Sequence, residues 1–237
     1  DASLIAQLHA VSSATASALL SRMGIRQTFI EGPRPMFTGK KIVGSTITLQ
    51  FMPQREDVAS GKNQEYSEKF SALWAVLETV QAGDILAIQA YGDAYTGCLG
   101  EMLVTYFQAQ GGVGIVVDGF IRDAPKILQI GLPMWVRGHT PNYASQSGLF
   151  PWAYNVPIAC SRVLVIPGDI ILADDDGAVV IPRKIAPQLL KHTLETEDWE
   201  SFSRLRIQQG GALGKYYPLN AEARQEYEQW REKPSLE

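Results

Sequence analysis

Two cysteines, Cys98 and Cys160, in 237 residues are too few to staple a fold with disulfides. They lack Cys-x-x-Cys spacing, and such sparing use suits a reducing cytoplasm. The three histidines, His9, His139 and His192, show no metal-binding spacing. Charged residues make up only 19% of the chain, with 21 Lys+Arg against 25 Asp+Glu and a net charge of −4. No basic stripe exists, so nucleic acid is not expected as a direct ligand. No apolar run approaches the roughly 20 residues that span a bilayer, so no membrane partner is expected. The N-terminal stretch has no basic start and no long apolar block, unlike a signal peptide. A Walker A loop, a dinucleotide fingerprint and a Gly-x-Ser-x-Gly elbow are all missing.

What is present is a globular composition, 46% hydrophobic, with 21 glycines and 13 prolines as punctuation. Residues 3–24 have the pattern of one or two amphipathic helices ending at Gly24. Residues 41–51 alternate apolar and polar, which predicts a strand with a bulge or bend at Gly44. Phe70, Leu73, Trp74, Leu77 and Val80 fall at helical spacing and predict a helix over 67–80.

A strand over 84–90, a glycine-containing loop over 92–100, a helix over 101–110 and a strand over 113–118 follow. That order is the grammar of a crossover unit with parallel strands. A third strand is predicted at 134–137, then a long structured loop over 138–157. Three short strands are expected over 162–181, then a helix over 184–209 and a final polar helix in the tail.

Four features could carry chemistry. A glycine loop running into Gly100-Glu101-Met102-Leu103 leaves backbone N–H groups free at a helix start, where an anion can sit. Glycines used only for tight turning would look the same. Asp118-Gly119-Phe120-Ile121-Arg122-Asp123 follows a buried strand, where ligands gather in α/β sheets. Arg122 can fork a carboxylate or enolate oxygen, and Asp123 is a hard ligand for Mg2+ or Mn2+. A surface pair or a helix cap would use the same residues. Asp174-Asp175-Asp176-Gly177 reads more readily as a hairpin than as a cation site. His139 follows a strand and could line a cleft, whereas His9 and His192 read as helix-surface residues. Cys98 reads as a small packing residue.

Taken in order, GEML from Gly100, GIVVDGFIRD from Gly114 to Asp123, and PGDIILADDDGAVVIP from Pro167 to Pro182 resemble the RraA-like family. That family holds the class II 4-hydroxy-4-methyl-2-oxoglutarate / 4-carboxy-4-hydroxy-2-oxoadipate aldolases and the regulator of ribonuclease E activity. The resemblance covers residues 10–210 and leaves a C-terminal arm, 211–237, outside it. It implies an α/β fold, a compact β/β/α sandwich of the swivelling phosphohistidine-domain type, assembled as a homotrimer or a dimer of trimers. It implies a metal-dependent lyase that cleaves a 4-hydroxy-2-oxo acid to pyruvate and a second carbonyl compound, with oxaloacetate decarboxylation as a side activity.

Carried onto this chain, the resemblance makes Asp123 the direct metal ligand and Arg122 the group that binds the 2-oxo acid and steadies its enolate. Gly100, Glu101, Met102 and Leu103 become the carboxylate cradle, with His139 added as a substrate contact. Glu101 becomes an outer-shell group of the Mg2+ or Mn2+ ion. Glu200 of a neighbouring subunit becomes another, with Glu197 and Glu195 as alternatives. The 138–157 segment, with His139, Asn142, Tyr143, Trp152 and Tyr154, departs from the simple aldolases; it could rim another pocket or pack at a subunit interface. The resemblance therefore also admits a sugar-acid 2-oxo acid hydratase or hydrolase, or a protein-binding regulator without catalysis.

Overall fold

The structure is a computed structural model, and it describes residues 2–55, 57, 71–144 and 148–232. Contacts divide the chain into two compact units, Asp1–Pro187 and Gln188–Glu237. The boundary between these units falls inside a long helix.

The first unit opens with helices α1 (Ala2–Leu8) and α2 (Ser13–Arg22). Short strands β1 (Phe29–Ile30) and β2 (Arg34–Pro35) lead into the long β3 (Ile42–Pro53). Then come α3 (Ala72–Glu78), β4 (Asp84–Gln89), α4 (Glu101–Ala109), β5 (Gly114–Asp118), β6 (Phe120–Ile121) and α5 (Ala124–Ile130). The remaining strands are β7 (Met134–Val136), β8 (Gly138–His139), β9 (Leu149–Tyr154), β10 (Ile158–Cys160), β11 (Val163–Val165), β12 (Ile170–Asp174) and β13 (Gly177–Ile181).

These strands build a mixed α/β fold. Among the described residues the main sheet runs β1-β13-β12-β3-β4-β5-β7-β2, with β9 paired to β3. The β3–β4, β4–β5 and β5–β7 pairs are parallel, as the strand–helix–strand grammar requires. Strands β4 and β5 are buried at every position, which explains their near-continuous apolar runs. Leu86 and Ile88 face one core with Val76, Val104 and Phe107 of the helices. Ile85 and Ala87 face the other, with Trp135, Ile158 and Val165.

Two expectations change. Gly44 marks no bulge: it sits in register opposite Ile171, and the irregularity in β3 lies between Gln50 and Phe51. A Cβ on Gly44 would lie 2.3 Å from the Gly83 carbonyl oxygen, so close backbone approach is what requires glycine there. Gly44→Ala should therefore cost about 1–3 kcal/mol, read as a lowered denaturation midpoint. The 138–157 segment is also not one loop, because it contains β8 and the six-residue strand β9. Pro151 is tolerated in β9 because it pairs with Phe51 at the irregular step. Of the helix predicted over 67–80, residues 67–70 lie outside the described residues, and α3 covers Ala72–Glu78.

The second unit takes most of α6 (Ala186–Gln208), then α7 (Leu213–Tyr216) and α8 (Ala221–Glu232). Its small core is aromatic: Phe202 meets the rings of Tyr216, Tyr227 and Trp230 at 5.5–6.1 Å. Lys215 bridges Glu222 and Glu226, and these contacts raise its own pKa while lowering that of Glu226. No described helix is long and apolar enough to cross a membrane.

Candidate active site

The glycine loop and the strip 119–122 come together at the C-terminal ends of β4 and β5. Gly97 bridges Phe120, Cys98 N donates to Phe120 O at 2.9 Å, and Arg122 N donates to Leu99 O at 3.0 Å. The strip is thereby laced onto the loop just before that loop enters α4. Gly100 occupies the N-cap of α4 and brings no capping side chain. The N–H groups of Glu101, Met102 and Leu103 therefore have no partner within their own helix. Met102 is 70% exposed, and Leu103 packs against the core.

Asp123 holds φ 59, ψ 31, a left-handed conformation that aspartate tolerates better than most residues. It stands at the N-cap of α5 but makes no side-chain cap bond. The capping explanation for this residue therefore fails. Its carboxylate turns toward α4 instead, where Oδ2 accepts from Glu101 N at 3.4 Å. Arg122 Nε lies 3.6 Å from the same oxygen, and the two side chains are 43% and 36% exposed. The pair is reachable from solvent yet anchored on backbone.

Gly100 closes the arrangement. A Cβ there would lie 2.6 Å from Asp123 Oδ2 and 2.8 Å from Arg122 Nε. Gly100 has an extended backbone, φ −126 and ψ −175, so the requirement is for space and not for conformation. Lys126 of α5 reaches back to Glu101 at 3.0 Å, and that carboxylate holds the Lys126 ammonium above its usual pKa.

Among the described residues no group of three or more His, Cys, Asp or Glu side chains is arranged to hold a metal ion. Mg2+ and Mn2+ ask for less, one or two carboxylates plus waters. Asp123 could hold such an ion directly, with Glu101 beyond the waters. Beside the site an apolar groove of about 470 Å³ runs between α3 and α4, lined by Trp74, Leu77, Met102, Leu103, Tyr106 and Ala109.

The family model for RraA-like proteins, described as Aldolase/RraA, matches residues 8–180. The chain belongs to the RraA-like family. Among its relatives, a Halalkalibacterium halodurans protein provisionally named 4-hydroxy-4-methyl-2-oxoglutarate aldolase is 33% identical over 150 residues, covering 63% of this chain and 64% of that protein. A Thermus thermophilus protein named 4-hydroxy-4-methyl-2-oxoglutarate aldolase is 31% identical over 108 residues, covering 46% of this chain and 65% of the relative. In both cases the chain spans just under two thirds of the relative's length. Among solved structures, Streptomyces coelicolor RraAS2 is described as an unusual member of the RNase ES inhibitor RraA protein family. It shares 54% identity, with a TM-score of 0.80 over 87% of this chain and 98% of that one.

The other residues singled out in this RraA-like chain divide. His139 lies on β8 opposite Ile121, one residue before Arg122, and is exposed. Glu200 is half-buried on α6, in the second unit. Asp174 and Gly177 pair as the end of the β12–β13 hairpin. Asp174 accepts from Ser13 N and Oγ at the start of α2, so it serves as a cap. Cys98 is fully buried, and its thiol pKa is pushed far up by loss of solvent, which leaves it inert as a nucleophile. His9 sits in the turn after α1 and not on its face. His192 lies on α6, 3.4 Å from Glu195.

Three contacts escaped the sequence reading: Lys126 on Glu101, Asn142 Nδ2 on the Tyr95 carbonyl at 2.9 Å, and Arg137 on Asp118 at 2.6 Å. The last left a trace, since opposite charges end two apolar strands.

Proposed function

We propose that this protein is a divalent-metal-dependent lyase that cleaves a 4-hydroxy-2-oxo acid to pyruvate and a second carbonyl compound. The observation that carries this reading is the convergence of Arg122 Nε and Asp123 Oδ2 over Gly100, at the start of α4. As the C3–C4 bond of such an acid breaks, the C4 hydroxyl gives up its proton to water and becomes the second carbonyl, and the electron pair of the bond moves through C3 onto the ketone oxygen; protonation of C3 from water then leaves pyruvate. A guanidinium aimed at that oxygen stabilises the charge as it develops, and helix N–H groups can cradle the adjacent carboxylate. Asp123 would hold Mg2+ or Mn2+, with Glu101 outside the waters; when bound, the ion would act as a Lewis acid toward the same oxygen. The aldolase names of the relatives support the reaction class. Oxaloacetate decarboxylation follows as a side activity, since it generates the same enolate.

The assembly proposed with this reading is a homotrimer or a dimer of trimers, in which a neighbour's Glu200 would reach the ion's waters; the groove beside Met102 offers apolar surface that a neighbouring subunit would cover. A second reading, a non-catalytic regulator, draws on the 54% identity to RraAS2. One assay separates the two. Pyruvate release from 4-hydroxy-4-methyl-2-oxoglutarate and from oxaloacetate should require added Mg2+ or Mn2+, vanish in EDTA and return with metal. Asp123→Asn should raise the metal concentration needed. Full turnover in excess chelator refutes the metal-dependent mechanism, and no turnover of either acid with metal favours the regulator.

A further inference from the structure

Asp118 is the last residue of β5, and its side chain is only 3% exposed. Its Oδ1 accepts from Arg137 Nε at 2.6 Å, and its Oδ2 accepts from Ser161 N at 2.7 Å. Arg137 follows β7 directly and also donates from Nη2 to Glu31 O at 2.9 Å. Its guanidinium is boxed by two glycines: a Cβ on Gly32 would lie 2.2 Å from Nη1, and one on Gly92 would lie 3.3 Å from Nε. Both glycines have positive φ, +108 and +70. Stability alone explains such a pair poorly. Desolvating a carboxylate offsets most of the Coulomb gain, and an apolar pair often serves as well. The Arg137 side chain is itself 29% exposed, so only the carboxylate is fully withdrawn from water; fixing a register is the best-attested role for an ion pair set into a fold.

The register in question is that of the strip carrying Arg122. Both chain segments leave the main sheet at this pair. Beyond it, Arg137 N donates to Gly119 O at 3.0 Å, and Phe120 and Ile121 pair with Gly138 and His139. Thr140 N then donates to Ile121 O at 2.8 Å. The opposite edge of the same strip carries the bonds to Cys98 and Leu99. A slip at Asp118 would therefore be passed along Gly119–Arg122 and would part Arg122 and Asp123 from Gly100.

The geometry points to Asp118 and Arg137 as positioning residues that set Arg122 and Asp123 against the start of α4. In its kinetic readout this rests on the lyase reading. The test uses the full chain as wild type, Arg137→Lys, and the double variant Arg137→Gln/Asp118→Asn, which leaves no buried charge unpaired. Each is assayed for pyruvate release and, with 15N label, for the Arg122 Nε–H resonance, assigned by its loss in Arg122→Ala.

The double variant should keep a cooperative thermal transition, lose tens of fold and up to about 10²-fold in kcat, and change KM less. Its Arg122 resonance should shift or broaden, and Arg137→Lys should recover part of the rate. A folded double variant with wild-type kcat and an unmoved Arg122 resonance overturns the inference, as does a lost rate with that resonance unmoved. If the wild type releases no pyruvate, the lyase reading fails and the Arg122 resonance alone decides this inference. If the double variant does not fold, Arg137→Lys decides by the same two readouts.

Discussion

Arg122→Ala should lower kcat/KM for pyruvate release by a hundred- to a thousandfold, about 2.7–4 kcal/mol of transition-state stabilisation. The loss should fall mainly on kcat, because the guanidinium meets full negative charge only as the carbon–carbon bond breaks. Arg122→Lys should recover little. An ammonium keeps the charge but not the planar fork that can set two N–H groups on the developing enolate oxygen. The fold should be indifferent. Arg122 is held to the glycine loop through its backbone N–H to Leu99 O, and its side chain is 43% exposed. Substitutions of that kind usually stay within about 0.5 kcal/mol. The measurement is a coupled pyruvate assay beside a thermal melt and a sizing column. An Ala variant with wild-type turnover would remove Arg122 from the chemistry.

Local chemistry made part of this architecture readable in advance. The buried strands β4 and β5 announce themselves as short apolar runs bounded by glycine, and Asp-Gly after Asp174 announces the β12–β13 hairpin. Arg122 and Asp123 stand out because they lie just past the end of a buried strand. What stayed hidden is long-range. Strand β9 lies among Gly, Pro and Ser residues, and only its pairing with β3 makes it a strand. Gly44 looks like a bulge until the Gly83 carbonyl appears 2.3 Å from where its Cβ would be. Asp118 and Arg137 are 19 residues apart, and only the parallel β5–β7 pairing brings their strand ends together. Glu101 meets Lys126 only because α4 and α5 lie side by side. Spacing in one chain reports periodicity and caps; it does not report which strand end meets which.

Gly100→Ala should separate the site from the scaffold most sharply. Alanine adopts the extended backbone of Gly100 without strain, and glycine offers no capping side chain to lose. The melting temperature should therefore stay within about 2 °C of wild type. The new methyl carbon would sit 2.6 Å from Asp123 Oδ2, 2.8 Å from Arg122 Nε and 3.0 Å from Arg122 Cγ. All three belong to half-exposed side chains that can move away, so the collision is relieved by displacing the proposed chemical groups. Misplacement of about an ångström costs on the order of 10²-fold in rate, and that is the loss expected in kcat. Gly97 supplies the contrast. A Cβ there meets the Asn142 carbonyl oxygen at 2.2 Å, and backbone yields less readily than side-chain tips. Gly97→Ala should therefore lower the melting temperature as well as the rate. If Gly100→Ala instead turns over substrate like the wild type, the convergence of Arg122 and Asp123 over this glycine has no part in catalysis.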